Sequence, residues 1–281
     1  MAGDAWFEGD LLSNGIRIHY RRTGSGDKPA LILLHGFSDN GLCWLPVAQA
    51  LEADYDIIMP DARGHGRSEA PVGPYGIVMA DDVAGLADVL GLDRPILMGH
   101  SMGGITAFTA AGRYPERFRC ILLEDPAMRT PEQERALEEA AKEREIAEGP
   151  RDWGAQLRQM RELPHEEIVA IGRQQSPNWP EIELGPWATS KQQVSLNLLN
   201  ARFDRGESWV EVLSRITCPV LLIVPDLALG GITTPEAVQQ ASSLLGTLEV
   251  ATIPGAGHNV RREQFAAFME AVRAFLGRYG S

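Results

Sequence analysis

Six short runs rich in Ile, Leu and Val, at 30–34, 56–59, 95–99, 119–124, 219–224 and 247–252, set the frame for this chain. Their continuous apolar character suits strands covered on both faces, as in a parallel sheet. Helical segments fall between them, at 44–53, 81–91, 102–114, 235–245 and 261–278. The last carries Phe265, Phe268, Val272 and Phe275 at helical spacing, a stripe for the core. Ahead of the first run, 7–12 and 16–21 flank Ser13-Asn14-Gly15. Asn-Gly favours positive φ and predicts a tight hairpin. Together these segments predict an α/β fold with a mostly parallel sheet flanked by helices.

The alternation breaks between 127 and about 206. Residues 129–148 read as a charged helix. Trp153, Leu157 and Met160 follow at i, i+4 and i+7, and a later helix carries Trp187, Val194, Leu198 and Leu199. This pattern predicts a helical cap over 127–206, inserted after the sixth strand into a core made of 1–126 and 207–281. Open α/β sheets bind ligands beyond the carboxyl ends of their strands, so the cap should roof the pocket. Trp153, Met160 and Trp187 are its candidate substrate contacts.

A length of 281 residues suffices for one such core with an insertion. The formal charge of −12 disfavours nucleic acid and anionic membrane as partners. Cys43, Cys120 and Cys218 are far apart and suggest no disulfide framework, which fits a reducing, cytoplasmic setting. The first residues lack the basic and apolar stretches of a signal peptide, and no apolar run approaches membrane-spanning length. A monomer or homodimer is expected.

The chemistry centres on Gly99-His100-Ser101-Met102-Gly103. An apolar strand precedes it and a helix follows at once, the context of a nucleophile elbow. There a serine is exposed on a sharp strand-to-helix turn. The flanking glycines are required where a Cβ would strike the neighbouring strand or helix. Leu31 to Leu34 runs into His35-Gly36-Phe37, a loop able to aim the N–H of Phe37 at the serine. With the N–H of Met102 it would form an oxyanion hole. Ser101 needs a base. Of the six histidines, His258 sits in a loop after the last strand, where it can face Ser101. His35, His65 and His100 read as loop-holding residues, His19 lies on the hairpin and His165 on the cap. Nothing resembles a metal motif or a dinucleotide fingerprint, and a two-step serine mechanism needs no cofactor.

His35-Gly36-Phe37, Pro60-Asp61-Ala62-Arg63-Gly64-His65-Gly66-Arg67-Ser68, Gly99 to Gly104, Tyr114-Pro115-Glu116-Arg117 and Gly257-His258 occur in one order across nearly the whole chain. In these motifs it resembles the α/β-hydrolase superfamily. The resemblance fades over the cap. It implies a triad in the order serine, acid, histidine, with the acid in most relatives placed after the seventh strand. Here that strand runs into Pro225 and Asp226, and Ala228 stands where the acid is expected. Counted without gaps from Tyr114-Pro115-Glu116-Arg117, Asp125 matches the position used by haloalkane dehalogenases and zearalenone lactonases. Asp125 is therefore the favoured acid, with Asp226 and Glu124 as alternatives.

The function implied is a serine hydrolase of small carboxylic esters or lactones, working through an acyl-enzyme and favouring short to medium acyl groups. The alternatives are an N-acyl homoserine lactonase, a carbon–carbon bond hydrolase of vinylogous diketones, or a non-catalytic small-molecule receptor. Haloalkane dehalogenase and epoxide hydrolase chemistry needs a carboxylate nucleophile, and this elbow holds a serine.

Overall fold

The opening hairpin runs from β1 (Phe7–Ser13) into an antiparallel β2 (Ile16–Arg22). Asn14 and Gly15 both take positive φ in its turn, 48° and 78°. The computed structural model describes residues 6–73, 75–129, 153–200 and 206–281, together with 133, 135, 139, 203 and 204. The later strands are β3 (Ala30–Leu34), β4 (Asp56–Pro60), β5 (Ile96–His100), β6 (Ile121–Glu124), β7 (Val220–Val224) and β8 (Leu248–Thr252). They close an eight-stranded sheet in the order β1-β2-β4-β3-β5-β6-β7-β8. β2 lies antiparallel to β4, and every pair beyond it is parallel.

The continuous apolar strands are explained by a core on each face. Ile32 and Leu34 point to one, Leu31 and Leu33 to the other. The first core is roofed by α2 (Ile77–Val89) and α3 (Met102–Arg113). The second is closed by α1 (Leu45–Leu51) and, at the far end of the chain, by Phe268, Val272, Phe275 and Leu276 of a helix over Phe265–Tyr279. Burying each such side chain contributes roughly 1.5–3 kcal/mol.

Among the described residues, three helices of ten residues or more lie between β6 and β7: α4 (Trp153–Glu162), α5 (His165–Gln175) and α6 (Glu181–Gln193). Pro164 and Pro180 occupy the N-cap positions of α5 and α6, and glutamates fill both first turns, where they meet the positive end of the helix. The helix expected over 129–148 falls almost wholly outside the described residues. The chain re-enters the core through α7 (Trp209–Leu213), started by a Ser208–Glu211 capping box, and α8 (Pro235–Leu244).

Two expected helices differ in their ends. The first is preceded by a tighter 3-10 turn, Gly41–Trp44. The last is split into α9 (Val260–Glu263) and α10 (Phe265–Tyr279), because Gln264 at φ −135°, ψ 56° leaves the helical region.

Candidate active site

β5 turns into α3 at Ser101, whose φ of 51° and ψ of −112° are an unusual backbone state for a non-glycine residue. The flanking glycines permit that turn. A Cβ on Gly99 would lie 2.2 Å from Gly103 O, and one on Gly103 would lie 2.0 Å from Leu34 O. Ser101 N donates to Glu124 O at 2.9 Å, tying the elbow to the end of β6. Met102 opens α3, so its N–H is among the first-turn donors without an intrahelical partner.

The loop after β3 presses against this elbow. An added Cβ on Gly36 would meet His100 Nδ1 at 2.6 Å. His35 fixes the loop from inside. Its Nδ1–H donates to Gly36 O at 2.8 Å while Nε2 accepts from Ala62 N at 2.9 Å. His65 packs edge-on against both the His35 and Phe37 rings, at 5.1 and 5.7 Å. Burial lowers the pKa of both histidines, and that of His65, with His35 as a further cause, falls to about 3. Both therefore stay neutral at ordinary pH and act as struts.

His258 Nδ1 lies 2.7 Å from Asp125 Oδ2. Asp125 is fully buried, follows β6 directly and takes a left-handed φ of 42°. The loop after β7, the other region considered for the acid, contributes N–H donors to it instead. Ile232 N donates to both carboxylate oxygens at 3.1 and 3.0 Å, and Thr233 N to Oδ1 at 2.8 Å. Asp226 is occupied locally, accepting from Ala228 N at 3.1 Å. Glu124 points to the opposite face and takes Arg261 N and Nη1 at 2.9 and 3.0 Å. Burial raises its carboxyl pKa, against the pull of Arg261.

His100 completes this corner. Its Nε2–H donates to His258 O at 2.8 Å, and the two rings lie 4.7 Å apart. Burial, then Arg261 and His258, hold the His100 pKa well below its usual value, so it stays neutral beside His258. With Nδ1 engaged by Asp125, Nε2 is the nitrogen of His258 left open, on a side chain about 32% exposed.

Ser101, Phe37 and Met102 line one cavity of about 400 Å³. Its walls add Ile77, Met79, Ile105 and Thr109, with Arg129 at the start of the insertion. Two of the three cap residues expected to line it, Met160 and Trp187, are not among its described lining. Trp187 is buried among Ile168, Ala188, Met160 and Trp179, so Trp187 and Met160 knit the inserted helices to one another. The side chain of Trp153 is outside the described residues. Ile105 and Thr109 were legible in principle, being one and two turns beyond Ser101 on the same helix. Arg129, a lone arginine at the junction, carries no pattern that marks it.

Behind the elbow sits a buried ionic cluster. Asp39 meets Arg262 Nη2 at 2.9 Å and Lys191 Nζ at 3.3 Å, and Arg262 Nε meets Glu183 at 3.1 Å. Lys191 Nζ also donates to Ser38 O and Oγ, at 2.9 and 2.7 Å. Burial alone would raise the Asp39 carboxyl, but Arg262, Lys191 and Arg261 outweigh it and hold it far below the usual range.

Among the described residues no group of three or more His, Cys, Asp or Glu side chains is arranged to hold a metal. Cys43, Cys120 and Cys218 are buried and unbridged, and burial pushes the Cys120 thiol to about 12. No helix among the described residues is long and apolar enough to cross a membrane.

Residues 29–172 match the family described as alpha/beta hydrolase fold. The chain is similar to 3-oxoadipate enol-lactonase 2 of Acinetobacter baylyi, 28% identical over 288 residues, covering 97% of this chain and 98% of that one. It is also similar to 2-(acetamidomethylene)succinate hydrolase of Mesorhizobium japonicum, 29% identical over 272 residues, or 93% and 92% of the two chains. A solved structure, Est816, described as an N-acyl homoserine lactone degrading enzyme, shares 25% identity at a TM-score of 0.69. That similarity covers 95% of this chain and 100% of that one.

Proposed function

The chain belongs to the α/β-hydrolase fold family, and on that premise we propose that it is a serine hydrolase of small carboxylic esters or lactones. The observation that carries the reading is the 2.7 Å contact between His258 Nδ1 and a buried Asp125. A carboxylate at Nδ1 keeps the proton there and leaves Nε2 basic, which is what activation of a serine requires.

In this mechanism His258 Nε2 takes the proton of Ser101 Oγ as the oxygen attacks the carbonyl carbon. The carbonyl π pair moves onto oxygen, which the N–H groups of Phe37 and Met102 stabilise. Each such donor is worth about 10²–10³ in kcat. The intermediate collapses, the C–O bond to the leaving group breaks, and His258 returns the proton to that oxygen. Water, deprotonated by the same nitrogen, then attacks the acyl-serine and frees the acid and Ser101. A lactone follows the same path with its leaving hydroxyl still tethered.

The cavity volume lies within the roughly 300–1,000 Å³ typical of small-molecule pockets, which supports short to medium acyl groups. The lactone branch is supported by similarity to an enol-lactonase and to an enzyme that degrades N-acyl homoserine lactones. The segment 127–206 is proposed as the cap.

A panel of p-nitrophenyl esters of rising acyl length, N-acyl homoserine lactones and a vinylogous diketone tests this reading. Hydrolysis of esters or lactones, abolished in Ser101→Ala and untouched by EDTA, is the expected result. Turnover of the diketone alone, or near-normal ester turnover in Ser101→Ala, would overturn it.

A further inference from the structure

Arg129 is the one charged side chain among the described residues that line the Ser101 cavity. Other buried cations among the described residues are paired. Arg63 meets Asp82, Arg261 meets Glu124, and Arg262 and Lys191 meet Asp39. The guanidinium of Arg129 makes none of the hydrogen bonds or ion pairs found among the described residues. Its backbone is held instead, Trp209 Nε1–H donating to Arg129 O at 3.1 Å. Partners are not scarce in this chain, which holds 38 carboxylate residues against 26 Lys and Arg. A half-buried cation with no partner among the described residues, on a wall whose other described residues are uncharged, forgoes part of its hydration without an anion in return. A ligand anion arriving there would supply the missing partner in a charge-assisted, bidentate geometry suited to arginine.

The placement sets where that anion sits relative to the reacting carbonyl. Ser101, Ile105 and Thr109 run along α3, so the cavity wall extends about 12 Å from the elbow. Trp209, which holds the Arg129 backbone, belongs to α7, and α7 packs on the far end of α3. There an added Cβ on Gly112 would lie 2.5 Å from Val212 O. Arg129 is thus anchored at the end of the cavity away from Ser101. A single guanidinium among uncharged neighbours matches one negative charge, as on a carboxylate, better than a phosphate dianion.

Resting on the hydrolase reading above, we propose that the substrate carries a second, free carboxylate several bonds from the scissile carbonyl, gripped by Arg129. The substrate class is then the half-ester of a dicarboxylic acid or a lactone bearing a carboxylate side chain.

The test compares kcat/KM for mono-p-nitrophenyl esters of four- to eight-carbon diacids with neutral esters of equal length. Wild type should favour the acid-bearing series by about tenfold or more, in line with a charged hydrogen bond. In Arg129→Gln that ratio should fall at least about tenfold, and Arg129→Lys should restore part of it. No preference in wild type, or equal losses on both series in Arg129→Gln, overturns the proposal. Calorimetric titration of Ser101→Ala with free diacids separates this claim from the hydrolase reading. Diacid binding that vanishes in Ser101→Ala/Arg129→Gln supports the anion site even if no ester is turned over. Turnover of neutral esters without diacid binding keeps the hydrolase and rejects the anion site.

Discussion

Two regions meet at Ser101 and treat charge in opposite ways. Behind the elbow, Asp39, Glu124 and Glu183 are matched against Lys191, Arg261 and Arg262, all of them buried. In front of it, an uncharged wall holds one arginine with no ionic partner among the described residues. Charge that is paired and buried holds geometry in place. It joins α6 of the insertion to the Phe37 loop through Ser38 and Asp39, and to the His258 loop through Arg262. Charge left open faces whatever the cavity binds. Substitutions in the two regions should therefore fail differently, the back through stability and the site through turnover.

The largest effect is expected at the carboxylate that meets His258 Nδ1. Asp125→Asn should lower kcat by about 10⁴-fold, because an amide favours the wrong imidazole tautomer and cannot stabilise the imidazolium. Asp226→Asn should cost under about tenfold, since that side chain serves its own turn. Steady-state kinetics on both variants checks the ranking, and the reverse order would return the acid to the loop after β7.

Next in size is a break in the rear cluster. Asp39→Asn leaves Arg262 and Lys191 short of a buried counter-charge and should destabilise the fold by about 3–5 kcal/mol. Urea unfolding measures this directly. A stability unchanged within error, with activity lost instead, would make Asp39 a participant in the site rather than a strut.

A smaller, graded effect is expected on acidification. His35, His65 and His100 have native pKa values below their unfolded ones, so the unfolded chain binds more protons as pH drops. Their contribution is complete above about pH 6.5 and is lost as pH falls below it, for His65 down to about 3, at about 1.4 kcal/mol per pH unit for each histidine that charges on unfolding. Glu124, raised by burial, works in the other direction above its unfolded value and offsets part of the slope. Unfolding free energies at pH 7, 6 and 5 should decline in step. A flat profile would mean these histidines are not held neutral by the fold.

The sheet and the elbow were legible because local rules decide them. Runs such as Leu31 to Leu34 declare strands buried on both faces, and Gly99 and Gly103 declare a close approach of backbones that no side chain survives. The contact between Asp125 and His258 could be anticipated by counting from Tyr114-Pro115-Glu116-Arg117, although they stand 133 residues apart. The rear cluster was not legible. Glu183 and Lys191 read as ordinary polar positions on a helix, and their partners lie 79 and 152 residues away. Trp187 and Met160 show the same limit from the apolar side. Periodicity marks a face as buried without saying against what, and here it is the inserted helices themselves. Only the three-dimensional arrangement separates Arg129 from the paired arginines.

Covalent acylation of Ser101, with His258 as its base, can be caught by trapping. A p-nitrophenyl ester mixed with the enzyme and quenched in acid during the first turnovers should leave an acyl mass increment on the peptide that contains Ser101, and none in Ser101→Ala. Sustained turnover with no adduct on that peptide, or an adduct that persists in Ser101→Ala, would contradict the account.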